Sequence, residues 1–145
     1  MQDILRTKLH DYILHNNPDL LLTLQQEGKV NSYLREKITT VDAFLDQLQA
    51  EGKPAYIIEE ACMGALTREL RPSRFNCLCS LLEEEFEADY RRLQESGILT
   101  YEVLNLMAAC AHGFDAIGFT KDRETDQQLR YVLAGMIQEY LENEQ

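Results

Sequence analysis

The chain has no tryptophan and only three prolines and seven glycines in 145 residues. So little Pro and Gly excludes a low-complexity linker or a collagen-like repeat. Long apolar runs are missing too. No window approaches the roughly 18 uninterrupted apolar residues of a membrane span, so none is expected. The start, Met1-Gln2-Asp3-Ile4-Leu5-Arg6, is charged and amphipathic and does not read as a signal peptide. Cysteine is sparse. Cys62, Cys77, Cys79 and Cys110 sit in apolar helical patterns, not in a disulfide framework, and read as reduced thiols of a cytoplasmic protein.

Positive charge is also short, with 14 Lys and Arg against 25 Asp and Glu, a net charge of −11. That balance repels phosphate backbones and argues against direct nucleic-acid binding. The acidity is uneven. Residues 1–72 carry 8 basic and 11 acidic residues, and residues 73–145 carry 6 and 14. An acidic face that meets a basic partner protein follows as a reading, beside that of a plain solvated surface.

What is present is helical periodicity. Ile4, Leu5, Leu9, Tyr12 and Ile13 form one stripe, and Asn17-Pro18 restarts the chain with a cap and a first-turn proline. A short helix with Leu20, Leu21 and Leu24 ends near Gly28. Val30, Leu34, Ile38, Val41, Leu45 and Leu48 make a seam, with a kink or split foreseen around Thr39-Thr40. Residues 54–70 read as the next helix, stopped before Arg71-Pro72. Ser73 caps a long helix to about Glu95, with Phe75, Cys79, Leu82, Phe86, Tyr90 and Leu93 as its seam.

Thr100 then opens a helix that is apolar on every face from Val103 to Ala111 and ends at Gly113. Such a helix is expected to be buried all round. A last helix runs from about Asp122 to Asn143. No strand alternation or hairpin signal is present, and the differing helix lengths suggest no repeat of solenoid type. The expected fold is all-α: one domain over 1–145, a compact bundle of about six or seven helices around a buried central helix.

Motifs for chemistry are weak. Cys77-x-Cys79 and Cys110-x-His112 supply zinc-type ligands. Residues two apart on a helix diverge by about 200°, so neither pair can chelate from a regular helix. No His has an acidic residue three positions before it, as a carboxylate di-iron bundle requires. Gly113 and Gly118 have Walker spacing, but Phe119-Thr120 replaces its Lys-Ser/Thr. No catalytic, metal or cofactor residue is assigned.

The candidate partner-binding residues are Glu83, Glu84 and Glu87 on the acidic helix, and the basic cluster Arg68, Arg71 and Arg74. Glu87 and Arg91 should pair at i,i+4. The alternative is a small-molecule binder or enzyme with an inter-helix pocket, using Cys62, Cys79, His112 and the tyrosines. Self-association through Tyr131 and Tyr140 on the last helix is a third reading.

The whole pattern resembles a family of short, acidic, all-helical bacterial proteins classed as a domain of unknown function. The resemblance rests on the N-terminal amphipathic helix, the Asn17-Pro18 restart, the Glu-rich helix 73–96 and the apolar helix 101–111. It implies a compact helical fold, brings no active-site residues, and, through a mobile-element setting, an accessory or interaction role.

Overall fold

A computed structural model of the chain describes residues 1–144 and is all-helical, with nine α-helices among the described residues. These are α1 (Gln2–Asn16), α2 (Pro18–Glu27), α3 (Val30–Thr40), α4 (Asp42–Ala50), α5 (Ala55–Leu66), α6 (Arg74–Glu85), α7 (Glu87–Glu95), α8 (Leu99–Ile117) and α9 (Gln127–Asn143). Short 3₁₀ turns lie at Arg68–Leu70 and Lys121–Arg123. The count exceeds the expected six or seven because two seams break within their length. The Val30–Leu48 seam splits at Val41, close to the foreseen kink. The helix expected from Ser73 to Glu95 breaks at Phe86.

The chain divides into two compact units, Met1–Arg71 and Pro72–Gln145, at the Arg71-Pro72 stop. Each unit has its own cluster of buried side chains. Unit 1 buries Leu5, Leu9, Ile13, Leu34, Val41, Leu45 and Cys62, among others. Unit 2 buries Leu78, Leu82, Val103, Leu106, Cys110, Phe114, Leu133 and Ile137, among others.

The two units repeat one plan. In unit 1, α1 packs on α2, α3 and α5; in unit 2, α6 packs on α7, α8 and α9. The parallel extends to single residues at a constant offset of 69 positions (17 to 86, 28 to 97). Asn17 interrupts the helix at φ −138°, ψ 55°, and Phe86 does so at φ −133°, ψ 49°. Gly28 and Gly97 both take positive φ, 67° and 73°, which glycine adopts without a Cβ clash. The amide after each glycine donates back into the helix: Lys29 N–H to Leu24 O at 2.8 Å, Ile98 N–H to Leu93 O at 3.1 Å. This is the Schellman closure that ends a helix by satisfying its last carbonyls. The buried positions match as well: Leu9 with Leu78, Ile13 with Leu82, Leu24 with Leu93, Leu34 with Val103, Val41 with Cys110, Leu45 with Phe114. This two-copy repeat is not of the solenoid type.

Differences mark where each copy departs from the plan. The break at Val41 has no counterpart, since α8 runs straight through Cys110. Gly113, expected from the sequence to end this helix, lies inside α8. A Cβ there would meet Met136 Sδ at 2.9 Å and a Val132 methyl at 3.3 Å, so the glycine admits α9 to close packing. The helix ends instead at Gly118, φ 91°.

The expected all-round burial of the central helix is corrected too. Tyr101, Ala108, Ala109, His112 and Ala116 of α8 are exposed. The outer apolar residues are mostly alanines, which suit a helix through propensity and expose little apolar area.

Candidate functional site

Caps follow the sequence where a polar side chain is placed for them. Ser73 Oγ accepts from Asn76 N–H at 3.1 Å, as expected. Asp126, not Asp122, opens the last helix by accepting from Leu129 N–H at 3.0 Å. Asn17 does not cap with its side chain. Its Nδ2 donates to Leu70 O at 3.2 Å, and its Oδ1 is buried without a hydrogen-bond partner among the described residues.

The candidate acidic residues are partly engaged within unit 2. Glu84 accepts from Arg130 on α9, and Glu87 accepts from Arg91 at 2.6 Å, the i,i+4 pair read from the sequence. Glu83 is exposed, and its charge helps raise the Tyr90 phenol above its ordinary range, after burial. The basic cluster is divided, with Arg68 and Arg71 in unit 1 and Arg74 in unit 2. Arg71 donates to the carbonyls of Thr67 and Gly64, closing the C-terminal end of α5. Arg74 bonds Asp115 at 2.8 Å and lies 4.9 Å from the centre of the Phe114 ring. Arg68 and Arg71 together line an open groove of about 530 Å³ with Phe44, Ile57 and Gly64.

The thiols are held neutral. Burial, then the Glu83 charge, pushes Cys79 up to about 11. Burial, then Cys77, pushes Cys110 up to about 11. Burial alone raises Cys62. An activated nucleophile needs the opposite shift, so these groups are poorly set for it at neutral pH. Cys62 belongs to unit 1, whereas Cys79 and the exposed His112 belong to unit 2. Among the described residues no three His, Cys, Asp or Glu side chains are grouped to hold a metal ion, and no helix is long and apolar enough to cross a membrane.

Tyr140 and Tyr131 lie differently on α9. Tyr140 is partly buried and donates to Glu102 Oε2 at 2.9 Å; burial and that carboxylate raise its phenol far above the ordinary range. Tyr131 is 82% exposed. It borders a groove of about 490 Å³ between α6 and α9, with Glu85, Phe86, Val132, Ala134 and Gly135. A neighbouring hollow of about 350 Å³, lined by Leu81, Gln127 and Arg130, shares Glu85, Tyr131 and Ala134 with it. The result is a shallow strip of mixed character, with a freely exposed phenol, small apolar residues, and Glu85, Gln127, Arg130 and Gln138 along it. Neither Phe86 nor Tyr131 was singled out with the acidic residues; the surface forms only when α9 lies beside α6.

Comparison with family models, with curated proteins and with solved structures finds no match to this chain.

Proposed function

We propose that the chain is a non-enzymatic helical module that binds another protein, and that unit 2 carries the contact along the α6–α9 groove. The supporting observation is the joined pair of hollows around Tyr131, lined by Glu85, with Glu84 held by Arg130 beside them. An exposed tyrosine beside small apolar residues offers large contact area at low entropic cost, as at interface anchor points. The glutamates select a partner segment with an apolar anchor flanked by Lys or Arg, and speed its encounter. Glu83 and Glu87 on the same acidic stretch extend that field.

This reading agrees with the accessory role that the resemblance to mobile-element proteins implies, and with a cytoplasmic setting. It disfavours direct contact with nucleic acid, whose charge has the same sign as the chain's.

The test is affinity capture from the cells that make the protein, run in parallel with wild type, Tyr131→Ala and the double variant Glu83→Lys/Glu85→Lys. A stoichiometric protein partner retained by wild type and lost by both variants is the expected result. A partner captured equally by all three places the contact elsewhere. An eluate holding only this chain, with mass rising with concentration in solution, replaces the hetero-partner with a second copy.

A further inference from the structure

The groove between α1 and α3 in unit 1 has a counterpart in unit 2, and the two are filled differently. In unit 1, Arg6, His10, Asn31 and Arg35 line an open groove of about 460 Å³, with Leu34 at its floor and Asp11 also on its wall. Sixty-nine positions later, Arg6, His10 and Arg35 become Phe75, Cys79 and Leu104. Phe75 is buried and Cys79 packs against the same core, while Leu104 is half-buried. At these three positions unit 2 is therefore apolar, whereas the equivalents of Thr7, Asp11 and Asn31 stay polar as Asn76, Ser80 and Thr100. Unit 1 sets two guanidinium groups along its open groove.

Those guanidinium groups are weakly engaged. Arg35 has no ion pair among the described residues, and Arg6 reaches only the exposed Asp3, at 3.8 Å. Elsewhere on the chain, Lys37, Arg74 and Arg91 hold carboxylates at 2.6–2.8 Å. Both arginines also border an adjoining hollow of about 130 Å³ that holds Asp3 and Asp42, yet the one ion pair between these groups is the loose Arg6–Asp3 contact, which leaves the guanidinium forks a place for an outside oxyanion. Arginine forks match phosphate oxygens in pairs, Asn31 and His10 add further hydrogen-bonding groups, and Asp11 can accept from hydroxyls. The volume lies within the range of small-molecule sites.

We propose that the α1–α3 groove of unit 1 binds a small phosphate monoester, with Arg6 and Arg35 holding the phosphate. It is independent of the protein contact assigned to unit 2. The test is a calorimetric titration of the intact protein with adenosine monophosphate, glucose 6-phosphate, inorganic phosphate and adenosine. The expected result is saturable one-to-one binding of at least one monoester and none of adenosine. Arg6→Ala and Arg35→Ala should each weaken that binding about tenfold or more, Arg35→Lys less, and Arg68→Ala not at all. The helical circular dichroism of these surface variants should match wild type. Absence of saturable binding by either monoester, or equal binding after Arg35→Ala, overturns the proposal. Adenosine binding as tightly as its monophosphate overturns it as well.

Discussion

Unit 1 and unit 2 follow one plan and spend it differently. The shared parts are structural: a helix interrupted by one non-helical residue, a left-handed glycine, a helical stretch that only unit 1 breaks, and a returning helix. The unshared parts decide what each surface can do. Position 44 is Phe in unit 1 and lines an open groove, whereas its equivalent, Gly113, lets α9 press against α8 in unit 2. Positions 6, 10 and 35 are cationic or polar in unit 1 and apolar in unit 2. The core positions carry the fold, and the facing residues between helices carry the difference. The returning helices also correspond, at an offset of 71: Ile58, Cys62 and Leu66 in α5 match Leu129, Leu133 and Ile137 in α9, all buried. Two extra residues in the loop before α9 account for the change of register.

The comparison can be broken most severely in the cores. Leu9 and Leu78 are equivalent and fully buried. Replacing either with Ala should cost about 2–5 kcal/mol, by lost burial and the cavity left behind. Urea denaturation should give similar losses for the two. A loss below about 1 kcal/mol at one site alone would mean that the pair is not equivalent.

Proline sharpens it next. Asp42 is the first residue of α4, and its equivalent Ala111 lies inside α8. Asp42→Pro should change stability by no more than about 1 kcal/mol, because the backbone N–H at the first helical position donates no intrahelical hydrogen bond that proline would remove. Ala111→Pro should cost about 3 kcal/mol or more. Equal thermal shifts for the two would contradict the break at Val41 being particular to unit 1.

Gly113→Phe imports the unit 1 residue into unit 2. Met136 can swing aside, but the stiff, β-branched Val132 limits the room. A loss of about 1–3 kcal/mol is expected from overpacking, measured by chemical denaturation. An unchanged or higher stability would show that α9 does not rely on the glycine.

Alkaline pH gives the gentlest contrast. Cys79 and Cys110 are raised from 9.0 to about 11, and Tyr140 is raised further, all in unit 2. A group whose pKa is higher in the folded state gives its full stability below its unfolded value and loses it as pH rises through the folded one. Unit 2 should therefore weaken progressively between about pH 9 and 11. The corresponding groups of unit 1, Cys62, Tyr33 and Lys37, are raised by less, so that unit should weaken less. Methyl NMR signals of Ile13 and Ile137 report the two units separately. Earlier loss of the Ile13 signal would reverse the expectation.

Much of unit 1 was legible because its punctuation is chemical. Asn17-Pro18 announces a restart, Gly28 a stop, and Arg71-Pro72 an end. Unit 2 hides the same turn. Phe86 is followed by glutamate, not proline, and Phe75 to Leu93 keep a helical spacing across it. Apolar periodicity registers which residues share a stripe and is blind to a single non-helical residue that preserves the stripe. Gly113 misled in the opposite sense, because a glycine needed for close approach looks like a stop. The repeat was obscured because few aligned positions are identical, Leu9 with Leu78 and Gly28 with Gly97 among them. The acidic helix was visible as a run of charge. The groove beside it was not, since Phe86 and Tyr131 meet only in the folded unit. Arg6 and Arg35 likewise stand 29 positions apart, and only the packing of α1 on α3 puts them on one groove.

The repeat is tested most directly by carbon-13 chemical shifts of the backbone in solution, residue by residue. The expected pattern interrupts the helical shifts at Asn17 and at Phe86, shows left-handed glycines at 28 and 97, breaks at Val41 and runs unbroken through Cys110. A continuous helix from Arg74 to Glu95, with helical shifts at Phe86, would contradict the two-copy plan.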